Sequence, residues 1–211
     1  MYTLFYSPGT ASMVIHQALL EIGAPHELRL VDFDKGAQRD PAYLKLNPQG
    51  VVPTLLIDGR PMVESAAILM MLADRHPAAR LAPAPGTPAR DDWYQWIVYL
   101  SNSLAATYRF WFYPSDLGAA EHSPEVRAAL QRKIESGWDR LDAHLAANGP
   151  CMLGKEFSGV DLLLIMLMRW SRNMPRPVTE WPALKQYADR MRARASWKAL
   201  CEREGLVDWV A

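Results

Sequence analysis

Apolar and polar positions mix two periods over the first eighty residues. Tyr2–Tyr6 (YTLFY) is rich in strand-forming side chains and is bounded by Ser7, Pro8 and Gly9. Across residues 12–22 the apolar positions Val14, Ala18, Leu19 and Ile22 recur at helical spacing, and Gly23 supplies a stop. Residues 26–31 (HELRLV) alternate as a strand, whereas residues 35–46 are polar and predict only a short irregular helix. Thr54–Ile57 is a short apolar strand. Asp58 and Gly59 then form a strong hairpin signal, residues 61–63 return as a strand, and Ser65–Arg75 reads as a helix. The predicted order is βαβαββα. A two-residue turn forces the last two strands antiparallel, and a helical crossover makes the first two parallel with right-handed connection.

Five residues of the stretch 77–88 (Pro77, Pro83, Pro85, Gly86, Pro88) are helix breakers, which marks a linker. Beyond it the pattern is helical. Trp93, Trp96, Ile97, Leu100, Leu104, Tyr108 and Trp111 form one stripe, and Val126, Leu130, Ile134, Trp138, Leu141 and Leu145 form a second. Residues 162–170 are apolar on nearly every side and predict a buried central helix. Ser158 stands at its N-cap with Asp161 three residues on, a variant of the capping box. Residues 182–195 and 196–203 close the chain as helices. The domains read as 1–78 with the sheet, 79–88 as linker, and 89–211 all helical.

Composition removes several classes of function. Lys+Arg and Asp+Glu both number 23, and this zero formal charge argues against a nucleic-acid partner. Cys151 and Cys201 form no CxxC, and the five histidines stand in no zinc-binding frame, so neither a structural zinc nor a dithiol centre is expected. The longest apolar run, 162–168, falls far short of the ~20 residues that span a bilayer. No basic leader opens the chain. The expectation is a cytoplasmic protein with no membrane partner.

Four segments in order carry a resemblance: the opening YTLFYSPGTAS, NPQGVVPTLLIDG at 47–59, the Val63-Glu64-Ser65 step into a helix, and the FSGVD cap of the buried helix. Together they make the chain resemble a cytosolic glutathione transferase over essentially its whole length, and the opening is most similar to bacterial beta-type transferases. The resemblance implies a thioredoxin-like N-terminal domain with a mixed four-stranded sheet, an all-helical C-terminal domain, and a homodimer. It also implies glutathione as co-substrate, no metal, and a detoxifying transfer of the glutathione thiolate to a small hydrophobic electrophile. Two other readings are a ligand-binding or partner-binding protein of the same fold, and a glutathione-dependent isomerase or lyase.

The same resemblance assigns residues. Pro53 is expected to be cis, which presents the Val52 backbone to the cysteinyl unit of glutathione as an added strand. Ser65 and the first-turn amides of its helix suit the γ-glutamyl carboxylate, and Glu64 suits the ammonium. Lys35 and Gln49 match positions that contact the glycyl end and the cysteinyl region. A free thiol titrates near 8.5, so holding it as thiolate at neutral pH needs a donor. Three hydroxyls compete for that role: Thr10, Ser12 and Tyr6. Ala11 occupies the slot where beta-type enzymes carry a cysteine, which excludes a mixed disulfide there. The acceptor pocket is expected at Tyr108, Trp111 and Phe112, near the end of the first long helix of the second domain.

Overall fold

A computed structural model describes residues 1–209. Strand β1 (Tyr2–Tyr6) lies inside a four-stranded sheet of order β2-β1-β3-β4. β2 (His26–Leu30) runs parallel to β1, pairing Tyr2 with His26 and Tyr6 with Leu30. β3 (Thr54–Ile57) lies antiparallel on the other side of β1, and β4 (Arg60–Met62) returns antiparallel to β3. Asp58 and Gly59 sit at φ 50° and 86°, the left-handed pair that a tight hairpin turn needs. Pro61 lacks a ladder donor, which β4 tolerates because it is a sheet edge.

Successive residues of a strand face opposite sides. The Tyr6 ring leans on His16 of helix α1 (Met13–Ile22), while the Phe5 ring leans on Tyr43 of helix α2 (Pro41–Leu44). Helix α3 (Ser65–Arg75) packs with α1, so these two cover one face and α2 covers the other. Residues 35–46 resolve into a 3₁₀ turn (Ala37–Arg39) and the single turn of α2. Asp40 is extended between them because Pro41 disfavours helix at the preceding residue, and its carboxylate accepts the Ala42 N–H at 3.2 Å.

The second compact unit, Pro83–Arg190, is helical. Helix α4 (Pro88–Tyr99) starts with Thr87 as cap and Pro88 in the first turn, and helix α6 (Pro124–Asn148) repeats the device with Ser123 and Pro124. Between α4 and helix α5 (Ala106–Phe112) lies a π-helical stretch, Leu100–Ala105. The buried positions Leu100, Leu104 and Tyr108 are spaced by four, which exceeds the 3.6 residues of an α-turn. A wider turn keeps all three on one face. Helix α7 (Gly159–Trp170) is buried from Gly159 through Arg169, and its capping box is complete. Helix α8 (Pro182–Arg192) follows. Among the described residues no helix is long and apolar enough to cross a membrane.

The last helix, α9 (Ala195–Glu204), does not group with the other late helices. The segment from Met191 onward is compact with Met1–Ala82, because α9 packs on α1. Arg194 grips Glu21 of α1 with two nitrogens at 2.9 Å, and the Ser196 hydroxyl donates to the same carboxylate. The composition-based boundary that gives all of 89–211 to one helical domain therefore differs from the contact-based one.

Candidate active site

The loop between β1 and α1 carries two of the three candidate hydroxyls. Ser12 stands at the N-cap of α1, yet its side chain caps no helix amide. It turns back to Ser7: its hydroxyl donates to the Ser7 carbonyl at 3.1 Å and accepts the Ser7 N–H at 3.3 Å. The Thr10 hydroxyl donates to the same Ser7 carbonyl at 2.7 Å and lies 3.0 Å from the Ser12 oxygen. Ser12 is fully buried, whereas Thr10 is half-exposed. Tyr6 points elsewhere, under α1 beside His16. Burial, and then the nearby Glu204 carboxylate, push its phenol above the ordinary tyrosine value.

The second part of the site is the strand entry at Val52-Pro53, where the peptide bond is cis. Among the described residues neither the N–H nor the carbonyl of Val52 has a hydrogen-bond partner. The segment ahead of it is held firmly. The Tyr43 hydroxyl donates to the Val51 carbonyl at 2.6 Å, and the Asn47 amide donates to the same oxygen at 2.8 Å. Burial raises the Tyr43 phenol, which keeps it a donor across the neutral range. The Val52 side chain sits in a small core with Val31 and Tyr43.

The third part is the start of α3. Among the described residues, the N–H groups of Ser65, Ala66 and Ala67 have no acceptor, and the first helical bond is Ile68 N–H to the Glu64 carbonyl. Three open amides at the positive end of an eleven-residue helix make an anion receptor. The Ser65 hydroxyl donates to the Ala11 carbonyl at 3.2 Å, which ties this helix end to the Thr10 loop. Glu64 is exposed and sits at φ 70°, a left-handed conformation uncommon for any side chain but glycine. Glu64→Gly is therefore expected to stabilise the protein by roughly 1 kcal/mol. Urea unfolding would check this, and a lower midpoint for the glycine variant would refute the strain at this position.

The remaining predicted positions scatter. Lys35 is 82% exposed and its amine pairs with Asp32 at 2.9 Å. That contact lowers the Asp32 carboxyl and raises the Lys35 ammonium. Gln49 is exposed, and only its backbone N–H is engaged, by Asn47. In the helical unit Tyr108 is fully buried, its hydroxyl donating to the Met174 sulfur at 3.3 Å. Burial raises its phenol far above the usual value. Trp111 is buried with Arg127 lying 3.9 Å over its ring. Of the three aromatic residues predicted for an acceptor pocket, only Phe112 is exposed, stacked on Tyr108 and edge-on to Trp170.

Sequence reasoning gave no role to a pair that shapes the site from below. His16 Nδ1 and Glu204 Oε1 are 2.8 Å apart, and both side chains are fully buried. The other carboxylate oxygen of Glu204 accepts the Gly9 N–H at 2.9 Å. The second nitrogen of His16, Nε2, is buried without a partner, so Nδ1, which faces the carboxylate, is the nitrogen that donates. The available signal was a histidine and a glutamine at inward positions of an apolar helix. Tyr43 and Asn47, which hold Val51, carried no comparable signal. Among the described residues there is no cluster of three or more His, Cys, Asp or Glu that could hold a metal ion.

A thioredoxin-like sheet unit with this donor set, joined in sequence to a helical unit, defines a fold class. The comparisons narrow it. Residues 11–75 match the family model for the glutathione S-transferase N-terminal domain, and residues 102–195 match that for its C-terminal domain. Glutathione S-transferase GST-4.5 of Xanthomonas campestris pv. campestris is 30% identical over 96% of this chain and 98% of its own. A glutathione transferase structure from Methylococcus capsulatus superposes with a TM-score of 0.87 at 29% identity, covering 98% of this chain and 100% of the other. A sphingomonad glutathione S-transferase, solved with glutathione, gives 0.86 at 32% identity over 97% of this chain and 100% of its own. At 27% identity stand the maleylacetoacetate isomerase of Pseudomonas aeruginosa, with 94% of this chain and 93% of the relative covered, and the tetrachloro-p-hydroquinone reductive dehalogenase of Sphingobium chlorophenolicum, with 92% of each. The chain belongs to the glutathione S-transferase family and is an enzyme of the transferase class.

Proposed function

We propose that the sheet unit binds glutathione, holds its sulfur as a thiolate beside Thr10, and directs that thiolate at an electrophilic carbon of a small apolar acceptor. The observation that carries this reading is the joining of open donors: the Ser65 hydroxyl ties the three free amides of α3 to the loop that carries Thr10. Glutathione has groups to match. Its γ-glutamyl carboxylate suits the α3 amides, and its ammonium suits Glu64. Its cysteinyl backbone suits the unpaired N–H and carbonyl of Val52, with Pro53 fixing the approach. Gln49 and Lys35 lie in exposed loops, and Lys35 reaches the glycyl carboxylate only by leaving Asp32. Once glutathione is so placed, proximity and thiolate stabilisation supply the acceleration, and the step needs no metal.

Thr10 is favoured over its two rivals on geometry. Ser12 is fully buried, and Tyr6 lies on the α1 side of the sheet. For the acceptor, Phe112 offers an exposed aromatic face with Tyr108 stacked behind it, while Trp111 lies buried under Arg127. The working form is a cytoplasmic homodimer, as is common for such folds. Ala11 removes the thiol that disulfide-exchange or reductive chemistry would use.

A pH titration of the bound thiolate by ultraviolet difference absorbance tests the reading. The bound thiol is expected well below its free value of about 8.5. Thr10→Val should raise it by about one to two units, and Tyr6→Phe should leave it unchanged. Binding of glutathione without any shift would instead favour the ligand-carrier reading. Turnover of a maleyl substrate with glutathione regenerated would favour the isomerase.

A further inference from the structure

The contacts around Ser7 hold more hydroxyl groups than a single carbonyl needs. Three oxygens form a triangle: Thr10 Oγ1 to the Ser7 carbonyl at 2.7 Å, Ser12 Oγ to the same carbonyl at 3.1 Å, and the two hydroxyls 3.0 Å apart. Two hydroxyl protons serve these three edges, so one edge is always without a proton. As the loop stands, Thr10 spends its proton inside the triangle. A hydroxyl already donating to a carbonyl does not donate to a thiolate. The Ser7 carbonyl also accepts the Thr10 N–H, at a longer 3.3 Å, so without Ser12 an outward turn of the Thr10 hydroxyl would exchange a 2.7 Å hydroxyl donor for that weaker contact alone, which is unfavourable at a buried carbonyl.

We infer that Ser12 is a positioning residue that takes over the Ser7 carbonyl, so that the Thr10 hydroxyl is released to the glutathione sulfur. This rests on the proposed thiolate reading. Ser12 is fully buried, out of reach of a bound thiol. Its oxygen stays anchored by the Ser7 N–H at 3.3 Å whichever way its proton points. With Ser12 donating to Ser7, the Thr10 side chain rotates its hydroxyl outward, oxygen and proton together, and the carbonyl keeps a hydroxyl donor. No proton is transferred between protein groups: Thr10 keeps its own, and the thiol proton leaves to water. The placement also explains why Ser12 sits at a helix N-cap without capping, since its hydroxyl is needed on the other side.

The test measures three quantities on the full-length protein: the bound-thiol pKa, glutathione affinity at a pH low enough to keep the thiol protonated, and the urea midpoint. Wild type, Ser12→Ala, Ser12→Cys, Thr10→Val and Thr10→Val/Ser12→Ala are compared. Ser12→Ala should raise the bound-thiol pKa by about one unit, and leave affinity for the protonated thiol within about twofold of wild type. In the Thr10→Val background the same change should move the pKa no further, because there is no outward hydroxyl left to release. Ser12→Cys retains volume and a weak donor, and should give an intermediate shift if the alanine variant does not fold. Equal shifts in both backgrounds, or a parallel loss of affinity for the protonated thiol, would reduce Ser12 to a structural residue and overturn the inference while the thiolate reading stood. A wild-type thiol titrating at its free value would remove both.

Discussion

Asp161→Ala is expected to cost about 3–5 kcal/mol of stability, a large part of the ~5–15 kcal/mol typical of a folded protein. The carboxylate is completely buried at the start of α7, where four donors converge on it. Oδ1 accepts the Met152 N–H at 2.9 Å and the Tyr187 hydroxyl at 3.0 Å. Oδ2 accepts the Ser158 N–H at 2.8 Å and the Ser158 hydroxyl at 3.3 Å. One side chain thus joins the turn at residues 151–154, the cap of α7 and helix α8. Alanine would strip the carboxylate from all four at once in a place water does not reach; the Tyr187 hydroxyl keeps the Asp161 main-chain carbonyl at 3.2 Å, and the loss falls on the donors of Met152 and Ser158. Asp161→Asn keeps one acceptor oxygen and should lose roughly half as much. Thermal and urea unfolding would read this, and a melting point within a few degrees of wild type for the alanine variant would contradict the assignment. Trp138 is fully buried in the helical unit, so tryptophan fluorescence is a suitable probe.

That capping box was legible in the sequence because it is local: a serine, a carboxylate three residues on, and an apolar run. The same holds for the Asp58-Gly59 turn, for helix α3 and for the antiparallel return of the last two strands, where each decision rests on a few neighbouring residues. Contacts across long stretches of chain were not legible. Nothing near Ala195 announces that α9 packs on α1 rather than on the helices just before it. Serine at position 12 shows the limit within the site itself. Its place before a helix reads as a cap, but the hydroxyl serves Ser7 in the loop behind it. Tyr108 and Trp111 show a second limit: an aromatic stripe at helical spacing looks the same whether it lines a pocket or fills a core, and here both side chains are buried. Lys35 shows a third: its place in the chain suits a carboxylate ligand, yet in the fold its amine is paired with Asp32.

Glu204→Ala is expected to be the most damaging change in the sheet unit, at about 3–5 kcal/mol, although the residue lies far along the chain from every strand. Its two oxygens serve two buried or half-buried donors, His16 Nδ1–H at 2.8 Å and the Gly9 N–H at 2.9 Å. Removing the carboxylate takes the acceptor from an imidazole that already has one nitrogen without a partner. It also takes this acceptor from Gly9, where the chain turns at φ 73° toward Thr10. The loss should therefore appear both in the urea midpoint and in the bound-thiol pKa, since a loosened loop no longer aims the Thr10 hydroxyl. A double variant separates the two effects. His16→Phe removes the polar ring, so Glu204→Leu combined with it should recover part of the stability lost in Glu204→Leu alone. The thiol shift should stay lost, because Gly9 remains without its carboxylate. Recovery of the thiol shift along with stability would mean that Glu204 acts only by accommodating His16, and that the Gly9 contact does not shape the site.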